Sequence, residues 1–257
     1  MGLSIFTGTM ASTSHALVFD CRSHLGEVAQ GQKDFDAGPI LGVQHASLNQ
    51  HLTTAPVDGG SPPLLEREVL ADQFQQWGIH PETRIICYDQ NNGAFAARLW
   101  WLFRRLGHDN AFVFDGGLDG RIQQGLSVST LQETFPQGHF TPRATLANIC
   151  QIAGVLGSSK TILNAPASAR YRGEVEPIDA VTGHIPGAIS DPLSESTSEG
   201  YFKPKAVLEQ RFETPDLTLD SFDNVLALLI AGYSGPALYP GSPSEWITDP
   251  DRPIETA

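Results

Sequence analysis

A two-domain α/β fold is what this 257-residue sequence predicts, and three observations predict it. Short apolar runs bounded by polar or turn residues alternate with longer segments whose apolar residues recur at helical spacing. That alternation specifies a mostly parallel sheet covered by helices on both faces. The same strand–loop–helix order runs twice, on either side of a stretch at 133–145 that carries two prolines, a glycine and several polar residues. The length suits two domains of about 100–150 residues each, and an apolar content of 40% is enough to fill their cores.

Ala16 to Arg22 is an apolar run ending in polar residues and reads as a buried strand entering a loop. Residues 38–65 are rich in Gly, Pro, Ser and Thr and read as irregular. Between Glu66 and Gly78, Leu70, Phe74 and Trp77 fall near helical spacing, and Gly78 stops the helix. Arg84 to Asp89 is the next buried strand, Gln90 to Gly93 a turn, and Ala94 to Leu106 a strongly apolar helix closed by Gly107. Ala111 to Asp115 is a strand running into Gly116-Gly117. These pieces form a predicted first domain over 1–138, leaving 139–257 for the second. There, Leu146 to Leu156 reads as a helix, Thr161 to Asn164 as a strand, and Arg170 through Pro192 as a long polar loop. Lys205 to Phe212 and Val225 to Ala231 read as helices, and Ala237 to Tyr239 as the last strand.

Lys and Arg total 16 against 29 Asp and Glu, a net charge of -13. That excess argues against nucleic acid or an anionic membrane as the main partner, since phosphate binding needs a basic surface. A small anionic ligand needs only a local positive pocket and stays open. Cys21, Cys87 and Cys150 form no CxxC pair, so nothing points to a zinc site or a redox dithiol. Their odd number fits a reducing compartment. No apolar run approaches the ~20 residues of a membrane span. The first residues lack a charged leader region, and Phe6 breaks a myristoylation signal. The expectation is a cytoplasmic protein with no metal or organic cofactor, and no protein partner can be named.

The first half contains Cys87-Tyr88-Asp89-Gln90, Gly93-Ala94-Phe95-Ala96-Ala97-Arg98-Leu99-Trp100-Trp101, Leu106-Gly107-His108 and Asp115-Gly116-Gly117-Leu118. The second contains Arg170-Tyr171-Arg172-Gly173-Glu174, Gly183-His184-Ile185-Pro186-Gly187-Ala188 and Tyr239-Pro240-Gly241-Ser242-Pro243-Ser244-Glu245-Trp246. Together these strings resemble the tandem-domain rhodanese family of thiosulfate and 3-mercaptopyruvate sulfurtransferases, from about residue 16 to the C-terminus. The resemblance implies two rhodanese-like domains. The first is of the non-catalytic type, with Asp89 standing about where the other domain has its cysteine. It implies a small anionic sulfur donor held by Arg170 and Arg172, and the arginine and Gly-Ser-x-Ser-Glu-Trp strings lean toward 3-mercaptopyruvate.

The resemblance is broken at several points. The first domain reads Gly38-Pro39-Ile40-Leu41-Gly42 where Gly-His-Ile-Pro-Gly is usual. The second reads Asn164-Ala165-Pro166 in place of Asp-x-Arg, and Pro243 replaces a tryptophan. Above all, the loop Cys-Gly-Ser-Gly-Val-Thr-Ala that carries the sulfur is missing: Phe222-Asp223-Asn224 runs straight into Val225.

Sulfur transfer of this kind needs a thiolate that takes up sulfur as a persulfide, activated by converging N–H groups at a helix N-terminus. A carboxylate or hydroxyl cannot form one, so no catalytic residue is assigned and little or no turnover is expected. By the resemblance, about twenty residues are missing. Three readings of the gap stay open. Asp216 to Asp220 is a replacement strand with a shortened loop at Ser221–Asn224, or the second domain lacks a central strand and is poorly stable, or the reading frame is interrupted. The protein is then a sulfurtransferase missing its loop or a non-catalytic binding protein. Cys21, Cys87 and Cys150 read as core residues, Asp89 as a loop-stabilising carboxylate, and His184 as a loop brace.

Overall fold

The computed structural model describes residues 5–7, 16–24, 27, 29–38, 42–54, 64–90, 92–123, 135–156, 161–165, 168–176, 179–212 and 217–256. The chain divides into two compact units. One comprises Met1–Thr53, Leu65–Leu146 and Glu199–Phe202, the other Thr54–Leu64, Ala147–Ser198 and Lys203–Ala257.

The first unit contains β1 (Ile5–Phe6), β2 (Ala16–Asp20), α1 (Gln30–Ala37), β3 (Val43–His45), α2 (Arg67–Gln76), β4 (Arg84–Tyr88), α3 (Ala94–Arg105), β5 (Ala111–Phe114) and α4 (Gly117–Gln123). Its five strands are parallel, in the order β1-β5-β4-β2-β3. β4 is central, so Ile85, Ile86, Cys87 and Tyr88 are all fully buried, as a strand covered on both faces must be. α3 buries Leu99, Trp100, Trp101 and Phe103. Phe103 stacks on Phe74 of α2, with centroids 4.1 Å apart, and Phe19 of β2 meets Trp77 at 4.8 Å. Gly78 ends α2 with φ +77°, and a Cβ there would lie 2.8 Å from the Pro136 carbonyl oxygen, so both backbone and space require glycine. The stretch expected to be irregular over 38–65 holds β3 and a π-helical turn at Leu48–Leu52, while residues 55–63 lie outside the described part. Hydrogen bonding of β3 to β2, which no local pattern announces, makes the difference.

Burial holds His45, His51 and His108, all in this unit, below the ordinary imidazole range. They fold as neutral rings, whereas the unfolded chain takes up their protons near pH 6.5, about the ordinary value. Protonation therefore favours the unfolded state, and this contribution to stability is complete above about pH 6.5 and lost as pH falls below it. The urea midpoint followed by fluorescence of Trp77, Trp100 and Trp101 is expected to be lower near pH 5.5 than near pH 7.5. An unchanged midpoint would show that these rings titrate alike in both states.

The second unit contains β6 (Asn148–Ile149), α5 (Ile152–Leu156), β7 (Thr161–Asn164), α6 (Ser168–Tyr171) and β8 (Ile189–Ser190). It also holds β9 (Thr197–Ser198) and, beyond β10 (Tyr201–Phe202), whose residues belong to the first unit, α7 (Lys205–Arg211), β11 (Leu217–Leu219), α8 (Phe222–Ala231), β12 (Ala237–Leu238) and α9 (Ser242–Trp246). The helix expected over 146–156 is a short strand followed by a short helix. Pairing of Asn148 and Ile149 with β12 overrides their helical spacing.

Its sheet is also parallel, in the order β6-β12-β11-β7-β8. Taken place by place this repeats the first sheet, with β11 standing where β4 stands. Leu219 of β11 is in register with Leu163 of β7 on one side and Leu238 of β12 on the other. The second unit therefore has its central strand, and the reading in which that strand was lost is corrected. The shortening lies in the connection that follows. Asp220 and Ser221 alone link β11 to α8, whereas Asp89 to Gly93 link β4 to α3.

Candidate functional site

In a parallel α/β sheet the carboxyl ends of the strands are where ligands bind. In the first unit that edge is closed by its own side chains. The Asp89 carboxylate accepts N–H bonds from Gly93 and Phe95, each at 2.9 Å, and from Ala96 at 3.1 Å. It satisfies the first turn of α3 and draws on the positive end of that helix. The loop-stabilising role expected of Asp89 is what the geometry displays. Beside it, the buried Asp20 carboxylate accepts from the Arg22 guanidinium at 2.7–3.0 Å and from the Tyr88 hydroxyl at 2.9 Å.

In the second unit the residue after the central strand is Asp220. One carboxylate oxygen accepts from Asn164 Nδ2 at 3.0 Å and the other from the Ala165 N–H at 2.9 Å. Both bonds run back to the end of β7. Ser221 caps α8, its hydroxyl accepting from the Asn224 N–H at 3.4 Å. Asn224 Nδ2 donates to the Asp191 carbonyl at 2.9 Å, and Asp191 forms an ion pair with Arg211. Asp220 was not among the candidate residues named from sequence. Only the register of β11 with β7 and β12 reveals that it holds the place of Asp89.

The two arginines expected to bind a donor lie at and just beyond the end of α6. Arg170 is held between two buried carboxylates, with Nη2 2.7 Å from Glu176 Oε1 and 3.0 Å from Asp179 Oδ2. Arg172 is half exposed and forks onto the exposed Glu174 at 2.7 and 2.9 Å. His184 braces the same loop. Its ring stacks on Tyr171 with centroids 3.7 Å apart, and Nδ1 donates to the Tyr171 carbonyl at 2.8 Å. Its backbone pairs with Glu255 near the C-terminus. Gly183, at φ +117°, leaves no room for a side chain, because a Cβ would lie 2.4 Å from the Glu255 carbonyl oxygen.

Cys21, just past the end of β2, and Cys87 of the neighbouring β4 are fully buried, and burial pushes the Cys21 thiol well above its ordinary range. Cys150, partly exposed, follows the outer strand β6 of the second unit. Among the described residues there is no group of acidic, histidine or cysteine side chains suited to a metal ion, and no helix long and apolar enough to cross a membrane.

Comparison with known proteins agrees with this architecture. The family model of the rhodanese-like domain matches residues 8–123. A probable 3-mercaptopyruvate sulfurtransferase of Pseudomonas aeruginosa is 37% identical over 261 residues, covering 93% of this chain and 92% of that protein. The chain belongs to the rhodanese sulfurtransferase family. This rhodanese-family protein is also 32% identical to a putative thiosulfate sulfurtransferase of Mycobacterium tuberculosis, over 92% of its own length and 89% of the relative's. Its fold matches the crystal structure of the Escherichia coli 3-mercaptopyruvate sulfotransferase SseA, with a TM-score of 0.78 at 22% identity over 91% and 94% of the two chains. It matches the 3-mercaptopyruvate sulfurtransferase of Leishmania major with a TM-score of 0.82 at 20% identity, over 95% and 74%. Two tandem rhodanese-like units, each a parallel sheet flanked by helices, are the family's architecture and this chain's.

Proposed function

We propose that this chain is a sulfurtransferase-family protein that performs no persulfide-based sulfur transfer as its sequence stands, and that it retains the binding of a small anionic sulfur donor. Asp220 carries the reading. It occupies the end of the second unit's central strand, and a carboxylate cannot accept a sulfane sulfur. The buried cysteines are poor substitutes: Cys87 is shut off from a donor within the core, and Cys21, equally buried, is a thiol held protonated by burial and so a weak nucleophile.

Binding falls to the arginine loop. The exposed Arg172–Glu174 pair is a weak one in water, so an incoming carboxylate or sulfonate can take the place of Glu174. Arg170, locked between two carboxylates, shapes the loop.

Thiocyanate formation from cyanide tests the reading directly. With thiosulfate or 3-mercaptopyruvate, the purified protein is expected to give no more than the protein-free rate, and the Arg172→Ala variant to bind the donor more weakly in calorimetry. Of the three thiols, Cys150 alone is expected to react with a disulfide reagent before denaturation. Turnover abolished by Cys21→Ser, Cys87→Ser or Cys150→Ser would overturn the proposal and identify a relocated nucleophile.

A further inference from the structure

After α9 the chain returns as a strap, Arg252 to Thr256, to the two loops of the second unit that carry the arginine and Gly-His-Ile-Pro-Gly motifs. Its root is fixed. Trp246 Nε1 donates to the Pro253 carbonyl at 2.9 Å, and Arg252 Nη1 donates to the carbonyls of Glu245 and Trp246, each at 3.1 Å. Ile254 packs against the apolar cluster that holds Ile185, Tyr239 and Trp246. Its far end is tied to the second loop. Glu255 and His184 exchange both backbone N–H bonds, at 2.9 and 3.0 Å, and the Glu255 carboxylate accepts the Gly187 N–H at 3.0 Å.

From there the strap bears on the arginine loop at two points. Directly, Thr256 lies over Gly173: a Cβ on Gly173 would stand 2.6 Å from Thr256 Cγ2 and 3.3 Å from its Cβ. Indirectly, it acts through His184, whose backbone it pairs. The His184 ring is stacked on Tyr171, and the Tyr171 hydroxyl donates to the Ala188 carbonyl at 2.7 Å. Arg172 stands between these two points. One neighbour lies under the ring that Glu255 holds in place, the other under Thr256. The Arg172 side chain is half exposed and paired only with an exposed carboxylate, a contact too weak in water to fix a loop by itself. A binding group on a loop held in advance loses less freedom when its ligand arrives.

We propose that Glu255 and Thr256 are positioning residues for donor binding: the strap holds residues 171–173 in the turn that presents the Arg172 guanidinium. This rests on the reading that Arg172 binds the anionic donor. The strap's hold on the loop is a separate quantity and is measured separately.

The test compares the full-length protein with Glu255→Ala, Glu255→Gln and Glu255→Pro. Alanine removes the acceptor for the Gly187 N–H, glutamine keeps it, and proline also removes the N–H given to the His184 carbonyl. Trypsin cleavage of the native protein at Arg172–Gly173, followed by mass spectrometry, reads loop opening. The Gly173 and Glu174 N–H groups bond to the Arg170 and Ala169 carbonyls at 3.0 Å, and that turn must open before a protease can take the segment. Calorimetry with 3-mercaptopyruvate reads donor binding. Glu255→Ala is expected to speed cleavage and weaken binding, each about fivefold, the net worth of one hydrogen bond. Glu255→Pro is expected to do more, and Glu255→Gln to behave as the wild type. Cleavage after Arg105, in the first unit, is expected to stay constant throughout. Cleavage at Arg172–Gly173 indifferent to alanine and proline overturns the strap, and so does glutamine acting like alanine or an equal rise after Arg105. Loop opening with donor affinity unchanged overturns the positioning role. A wild type that binds no donor sinks the donor reading alone, and the cleavage series still decides whether the strap holds the loop.

Discussion

Asp20→Ala is expected to destabilise the first unit by about 3–5 kcal/mol, the range found when one partner of a buried ion pair is removed. Asp20 is fully buried, and its carboxylate accepts the Arg22 backbone N–H at 2.9 Å, the Arg22 guanidinium at 2.7–3.0 Å and the Tyr88 hydroxyl at 2.9 Å. Truncation leaves a guanidinium that is itself nearly buried without its counter-charge, retaining among the described residues the Asp34 carbonyl at 3.1 Å. Against a typical stability of about 5–15 kcal/mol, such a loss brings the unit close to unfolding. The double variant Asp20→Ala/Arg22→Met is the informative control, because it removes the stranded charge together with its partner. It is expected to be more stable than Asp20→Ala alone, read as urea midpoints from the first unit's tryptophans. A double variant as unstable as the single one would show that packing around the carboxylate, not the unpaired guanidinium, sets the cost. No equivalent pair stands in the second unit, where the corresponding residues are Asn164 and Pro166.

Where burial is continuous, the sequence was legible. β4, α3 and β5 are apolar runs whose lengths and periods match their elements, and the structure places them as read. Elements made by distant partners were not legible. α1 is a polar helix in which Phe35 is the one large buried side chain, too little to register as a periodic face. β3 and β6 are edge strands of three and two residues, defined by hydrogen bonds to β2 and β12 and not by composition. β11 shows why the missing loop was hard to place. Leu217 and Leu219 flank a threonine, which suggests a half-exposed strand, yet Thr218 is 1% exposed because the strand is central. Once β11 is central, the residue after it acquires meaning, and Asp220 becomes the counterpart of Asp89. The arginine loop was legible as a motif, but the two carboxylates that hold Arg170 are six and nine residues further on and enter only through its fold.

Restoring a thiol at the end of β11 is expected to be insufficient for catalysis. Asp220→Cys should yield one additional titratable thiol in the native protein and no thiocyanate above the protein-free rate. The reason lies in the backbone. In the first unit, five connecting residues let the chain turn so that the N–H groups of Gly93, Phe95 and Ala96 converge on the Asp89 side chain. A sulfur anion needs the same convergence to be stabilised as a nucleophile. In the second unit, two connecting residues take the chain directly into α8, and the Asp220 carboxylate accepts from Asn164 Nδ2 and from the Ala165 N–H past the end of β7. Each donor lost from an anion-stabilising site costs about 10²–10³ in rate, so a connection too short for that turn is expected to leave turnover below detection even with the sulfur present. Replacing Asp220–Ser221 by Cys-Gly-Ser-Gly-Val-Thr-Ala supplies both the thiol and the length for the turn. That variant is expected to gain the mass of one sulfur atom on incubation with a donor and to release it to cyanide. If Asp220→Cys alone turns over, the connection is not what disables the site and the thiol was all it lacked. If the long-loop variant folds and takes up no sulfur, the barrier lies outside the connection, and the arginine loop becomes the element to examine.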